Sequence, residues 1–239
     1  MIDYAGRGLL LDVEGTTTSI AFVRDTLFPY ARRNLRTFLS DWAADPEVVA
    51  ASEVIARESG AGSLAEFLRQ RTVSDAHPLE CEVLRRMDGD DKSTGLKQLQ
   101  GLIWPAGYER GELRGHVYPD VPVAFAAWVA QGADIRIYSS GSVEAQRLLF
   151  AHSVAGPLDG YIRGYYDTRT GPKRSPESYR RIVRDMGRDP PGVLFFSDTV
   201  EELEAAREAE LATVLVRRAE GPAPASQPVI THFGEVRLI

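Results

Sequence analysis

Apolar positions along this chain follow one period near the start, another through the middle, and then alternate between the two. Gly8-Leu9-Leu10-Leu11-Asp12-Val13 is a short, unalternating apolar run. Such a run suits a strand buried on both faces. It breaks at Glu14-Gly15-Thr16-Thr17-Thr18, where the glycine permits a turn. Phe28, Ala31, Leu35, Phe38, Leu39 and Trp42 then recur at steps of three and four, predicting an amphipathic helix. Ser63-Leu64-Ala65-Glu66 has the form of a capping box at a helix start. Two more helical stripes follow, Leu79, Val83, Leu84, Met87 and then Leu96, Leu99, Leu102, Ile103. No strand pattern returns until after Pro119, so this whole stretch reads as helical.

Beyond Pro119 the periods alternate. Asp120-Val121-Pro122 opens a helix carrying Phe125, Trp128 and Val129 and stopping at Gly132. Ile135 to Ser139 reads as a strand, Val143 to His152 as a helix, and Asp159 to Arg163 as a weak strand. Ser175-Pro176 starts a helix that ends at Gly187, and Val193 to Ser197 is a buried strand. A helix over Thr199 to Glu210 and a final strand over Ala212 to Val216 complete the pattern. Alternation of this kind predicts an α/β fold, a Rossmann-like parallel sheet with right-handed crossovers. The first strand cannot stand alone and belongs to that sheet. The expected core is residues 1–20 and 115–239, with a helical insertion over 21–114 after the first strand. Ala219 to Pro228, rich in proline and alanine, reads as a flexible loop.

Composition narrows the function classes. The 239 residues are 44% hydrophobic and 26% charged, ordinary values for a soluble enzyme. A net charge of -6 with interspersed signs argues against an electrostatic nucleic-acid partner. The single cysteine, Cys81, excludes an intramolecular disulfide and a cysteine metal cluster, and it reads as helix packing beside Leu79, Val83 and Leu84. His77, His116, His152 and His232 lack metal-ligand spacing and read as structural or solvated. No signal-length or membrane-length apolar run is visible, so no membrane partner and a cytoplasmic location are expected.

The chemistry lies at the strand tips, since open parallel sheets bind ligands beyond the carboxyl ends of their strands. The first strand ends in Asp12 and Glu14, the second in Ser139-Ser140-Gly141-Ser142, and the fourth in Ser197-Asp198-Thr199. Lys173 sits in the loop Thr170-Gly171-Pro172-Lys173 before a helix. Each has a plain reading as well. An Asp after a strand often caps a helix, the serines suit a cap equally well, and a lone lysine is ordinarily solvated. Glu202 reads as the distal half of a capping box over Thr199 to Glu202, which leaves Glu201 as a candidate for a metal's outer shell. Taken together on one rim, they support phosphoryl transfer. Asp12 would be the nucleophile, with Mg²⁺ held by Asp12 and Asp198 in the oxygen coordination this ion prefers. Lys173, Ser139 and Ser140 would hold phosphate oxygens, and Glu14 would shuttle a proton to the leaving group and from water. The residues alone leave open a receiver-type signalling domain phosphorylated on aspartate and a catalytically silent binding protein. The length, the helical insert and the first-strand aspartate argue against the former, and the full set of polar positions argues against the latter.

Asp12-Val13-Glu14-Gly15-Thr16, the strand-end Ser139, Lys173 and Asp198 resemble the four motifs of haloacid-dehalogenase-type phosphatases. Residues 21–114 resemble their helical cap. Over nearly its whole length the chain is similar to the enolase-phosphatases of methionine salvage. The similarity is carried by Asp12 to Thr17, Phe28-Pro29-Tyr30-Ala31, Leu96 to Gly101, and Ile137 to Gln146. Glu14 is distinctive, because most of the superfamily has a second aspartate there. The resemblance implies Mg²⁺ surrounded by Asp12, Asp198 and Glu14, the last through its main-chain carbonyl, with Ser139, Ser140 and Lys173 on the substrate. It implies a monomer acting on a small phosphorylated diketone, 2,3-diketo-5-methylthiopentyl-1-phosphate, which is enolised and dephosphorylated to the acireductone. A plain sugar or glycolate phosphatase of the same superfamily is the alternative. Gly171-Pro172-Lys173-Arg174-Ser175-Pro176 departs from the family pattern in being richer in proline and basic residues.

Overall fold

The computed structural model describes residues 1–71, 77–89, 91, 93–218 and 227–239. The loop expected over 219–228 therefore lies outside the described residues, apart from its last two. Two compact units divide the chain: Met1–Phe22 with Arg114–Ile239, and Val23–Leu113.

In chain order the first unit contains β1 (Ile2–Tyr4), β2 (Gly8–Leu11), α1 (Ile20–Phe22), and then, past the second unit, α7 (Asp120–Ala130), β3 (Asp134–Tyr138) and α8 (Val143–Ala151). It continues with β4 (Ile162–Tyr166), α9 (Pro176–Asp185), β5 (Val193–Ser197), α10 (Val200–Glu208), β6 (Ala212–Val216), β7 (Val229–Ile230) and β8 (Val236–Leu238). Six of these strands form a sheet in the order β4-β3-β2-β5-β6-β7, and every pairing is parallel. The α/β parallel fold read from the alternating periods is the one observed.

β2 lies between β3 and β5, and Leu9, Leu10 and Leu11 are fully buried, which is why its apolar run does not alternate. Successive side chains of β5 point to opposite faces. Phe195 packs on Tyr179 of α9 with ring centroids 5.1 Å apart, whereas Phe196 packs on Trp128 of α7 at 5.5 Å. Helices therefore cover both faces of the sheet, and all six strands point their carboxyl ends at one rim.

Three expectations shift. The weak strand begins only at Ile162, because Asp159–Tyr161 forms a 3-10 turn leading into it. β6 is not the last strand, since β7 pairs with it, and β1 and β8 form a separate two-stranded parallel sheet. These additional strands have two or three residues each, too few to show a period. The first strand stops at Leu11, although the Asp12 amide still donates to the Phe196 carbonyl at 2.9 Å.

Every regular element among the described residues of the second unit is a helix. A π-helical turn, Val23–Leu27, leads into α2 (Phe28–Asp41), followed by α3 (Pro46–Glu58), α4 (Leu64–Gln70), α5 (Pro78–Asp88) and α6 (Thr94–Glu109). Asp45 caps α3 by accepting from the Glu47 and Val48 amides, and Ser63 caps α4 by accepting from Glu66. The Glu66 carboxylate turns to the Gly62 amide instead of closing the box on Ser63. Cys81 is half-buried on α5, beside the buried Leu79 and Val83. Leu35, Ile55, Phe67, Val83 and Leu99 form the apolar interior, and one ionic knot is buried with them. Glu82, whose side chain is 2% exposed, accepts from Arg85, Arg86, Arg71 and Ser59. Arg86, 3% exposed, also donates to Glu58, Ser93 and the Ile55 carbonyl. Four donors on one carboxylate compensate for its removal from water, and hold it well below the ordinary glutamate range, chiefly through Arg85.

Candidate active site

Asp12 follows β2 directly and is only 6% exposed. The chain then folds into a tight loop: the Thr17 and Thr18 amides both donate to the Val13 carbonyl, and the Gly15 amide donates to the Thr18 carbonyl. The Thr17 hydroxyl donates back to the Asp12 carbonyl at 3.2 Å. Gly15 has a φ of +74°, and a Cβ there would overlap Asp198 Oδ2. The loop thus needs glycine for both conformation and space, and Glu14 before it is half-buried. From outside, Arg218 grips the loop by donating twice to the Thr16 carbonyl, at 2.9 and 2.7 Å.

Lys173 reaches this point from the loop before α9. Its Nζ lies 2.6 Å from Asp12 Oδ1 and 2.6 Å from Glu202 Oε2. Burial alone would lower the lysine pKa, but Asp12 and Glu202 outweigh it and hold the ammonium above its ordinary value. Asp198 sits at the tip of β5 and accepts from the Thr199 hydroxyl at 3.1 Å. Burial first, and repulsion from Asp12 second, raise its pKa, and the same two causes raise Glu202.

Three carboxylates face one ammonium, leaving surplus negative charge in a poorly solvated place. Among the described residues, no three His, Cys, Asp or Glu side chains converge as a ligand set. Asp12 and Asp198 are a pair of hard oxygen donors. That suits Mg²⁺, which typically takes one or two carboxylates and keeps several waters. Burial and the nearby Asp12 carboxylate both oppose charge on Asp198, and a divalent cation would offset both. The donor set fits the ion.

On the neighbouring strand tip the serines separate into different roles. Ser142 is the cap of α8, accepting from the Ala145 amide at 3.2 Å. Ser139 is 3% exposed, and its hydroxyl accepts from the Gly141 amide at 3.1 Å, which leaves its own proton to donate. Ser140 is exposed.

Residues 7–210 match the family model of haloacid dehalogenase-like hydrolases. The chain is 47% identical over 212 residues to "Enolase-phosphatase E1" of Sorangium cellulosum, covering 89% of this chain and 88% of that protein. With the protein of the same name from Pseudomonas aeruginosa the identity is 41%, over 96% and 97% of the two chains. This chain belongs to the enolase-phosphatases, within the haloacid dehalogenase-like hydrolases. The crystal structure of the UTR4 protein from Saccharomyces cerevisiae is similar with a TM-score of 0.73 at 32% identity, covering 95% of this chain and 98% of that one.

In this enolase-phosphatase the capping box expected over Thr199 to Glu202 does not form. The Thr199 side chain makes no cap bond and is spent on Asp198, while Glu202 turns to Lys173 and accepts from Ser197 Oγ at 3.0 Å. Glu201, the outer-shell candidate, is exposed. A signal for Glu202 was present in the sequence: it shares a helical stripe with Ala206 and Ala209, both buried, whereas Glu201, Glu204 and Glu208 fall outside that stripe. His116 lies within hydrogen-bond reach of the loop after Asp12. Its Nδ1 accepts from the Ser19 amide at 3.1 Å, and burial lowers its pKa.

Proposed function

We propose that this chain converts 2,3-diketo-5-methylthiopentyl-1-phosphate to the acireductone 1,2-dihydroxy-3-keto-5-methylthiopentene and phosphate, passing through an aspartyl-phosphate on Asp12. The observation that carries this reading is Asp12 at the central strand tip with Lys173 Nζ 2.6 Å from its carboxylate. Asp12 attacks phosphorus, the ester P–O bond breaks, and Glu14 gives a proton to the departing oxygen. Glu14 then takes a proton from water, which attacks the acyl phosphate and releases inorganic phosphate. Lys173 and the Ser139 and Ser140 donors hold the phosphoryl oxygens as charge develops on them. Asp12, Asp198 and the Glu14 main-chain carbonyl would hold Mg²⁺, which would supply the positive charge that lets two anions meet. Residues 21–114 act as the cap, and the enzyme works as a cytoplasmic monomer.

Enolisation comes first, with Glu14 and Lys173 as the proton carriers nearest the bound phosphate. The test uses Asp12→Asn, which blocks the second step alone. Incubated with the diketone phosphate in deuterated water, this variant should exchange carbon-bound protons or accumulate the enol phosphate while the ester stays intact. A variant that binds the substrate yet neither exchanges nor enolises would leave a plain phosphatase as the better description. Metal dependence is tested separately. Dialysis against a chelator should abolish phosphate release and added Mg²⁺ should restore it; full activity after rigorous metal removal would refute the ion's role.

A further inference from the structure

The segment carrying Lys173, from Gly171 to Ser175, is neither helix nor strand, and Pro172 within it has no amide to donate. Nevertheless its three successive carbonyls are each held by a buried hydroxyl. Tyr138 Oη donates to the Gly171 carbonyl at 2.8 Å, Ser178 Oγ to the Pro172 carbonyl at 2.8 Å, and Tyr179 Oη to the Lys173 carbonyl at 2.7 Å. Tyr138 and Tyr179 are fully buried and Ser178 is 2% exposed. Gly171 has a φ of +145°, and a Cβ there would overlap Ser178 Oγ, so the fit is close on that side too.

Two of the three donors are tied to the strands that carry the rest of the site, and Ser178 stands beside Tyr179 on α9. Tyr138 is the last residue of β3, directly before Ser139, and its ring faces the Lys173 ammonium at 5.8 Å. Tyr179 packs on Phe195 of β5, two residues before Ser197. The two tyrosines meet edge to face, with ring centroids 5.7 Å apart. Burial raises the pKa of each above the usual phenol value, so both remain hydroxyl donors through the working range. A lysine has a flexible four-carbon stem and cannot place its own charge. Here the main chain beneath it is fixed at three consecutive points, and a side chain only as long as needed then spans to Asp12 and Glu202.

We infer that Tyr138, Ser178 and Tyr179 are positioning residues that set the Lys173 ammonium against Asp12, referencing an irregular loop to β3 and β5. The inference rests on the role of Lys173 given under Proposed function. The test is a double-mutant cycle. Tyr138→Phe and Tyr179→Phe remove only the hydroxyls, and are made in the parent and in Lys173→Gln. In the parent each should lower kcat/KM roughly ten-fold, and the pair on the order of 10²-fold, the scale of small misplacements at a reacting centre. Orthophosphate binding, measured by calorimetry on the Mg²⁺-loaded protein, should weaken in step. In Lys173→Gln, adding the tyrosine changes should leave both kcat/KM and orthophosphate binding unchanged to within roughly two-fold. Ser178→Ala runs the same cycle if either tyrosine variant fails to fold. Losses that recur undiminished in Lys173→Gln would show that the hydroxyls serve packing alone and overturn the inference. A crippled Lys173→Gln alongside fully active tyrosine variants would overturn it while leaving the proposed function standing. A fully active Lys173→Gln would remove the lysine's assigned role, and this inference with it.

Discussion

Asp12→Asn is expected to fold normally and to release phosphate on the order of 10⁴-fold or more slowly than the parent, as when a covalent nucleophile is lost. The substitution preserves the side chain's size at a site only 6% exposed, and leaves the Asp12 amide bond to Phe196 intact. What it removes is the negative charge that faces Lys173 and that the proposed mechanism sends onto phosphorus. Circular dichroism and gel filtration establish the fold, and a single-turnover phosphate assay reads the chemistry. Release within about ten-fold of the parent rate, in a folded variant, would exclude Asp12 as nucleophile.

The second large effect concerns stability in the helical unit. Arg86→Met keeps the apolar stem but removes one donor each from Glu82, Glu58, Ser93 and the Ile55 carbonyl. Breaking a buried pair from one side typically costs about 3–5 kcal/mol, because the remaining charge is left uncompensated. A thermal unfolding scan of the variant should show this loss. A change below about 1 kcal/mol would mean that water or the other arginines replace Arg86. The same knot gives the parent an acid limb. Glu82 is held below its ordinary pKa in the folded state, so its contribution is complete above the unfolded value of about 4.3. As the pH falls through that value towards the depressed folded one, the unfolded chain gains the proton first and stability drains away. Stability measured against pH should therefore decline below about pH 5, and the decline should be shallower in Glu82→Gln.

Asp12 and Asp198 were legible in the sequence because a polar residue at the end of an unbroken apolar run has few other uses, and parallel topology sends all such ends to one rim, whereas Lys173 lies in the loop before α9 and stood out only beside them. Glu202 was obscured by local chemistry: Thr199 and Glu202 have the spacing of a capping box, and only tertiary contact shows that each side chain is engaged elsewhere. Tyr138 and Tyr179 were read only as parts of a strand and of a helix, which says nothing of their hydroxyls. Here the hydroxyls of these core residues do the more specific job. The serine run combined two roles in four positions, with Ser142 capping and Ser139 set back at the strand tip. β1, β7 and β8 stayed hidden because pairing partners, and not pattern, make strands of so few residues.

The position of the helical unit in the chain has a consequence for biogenesis. β2 is the central strand, yet its neighbours β3 and β5 begin only at Asp134 and Val193, after the whole of Val23–Leu113. On the ribosome the helical unit, continuous in sequence, is complete before either partner strand has emerged. Throughout that interval Leu9, Leu10 and Leu11, destined for full burial, lie on an unpaired segment with free amides and carbonyls. A hydrophobic strand in that condition is a template for pairing with another chain. Slow translation or heavy expression lengthens or crowds that interval, and a holdase that shelters Gly8–Leu11 would protect Asp12 along with the strand that leads into it.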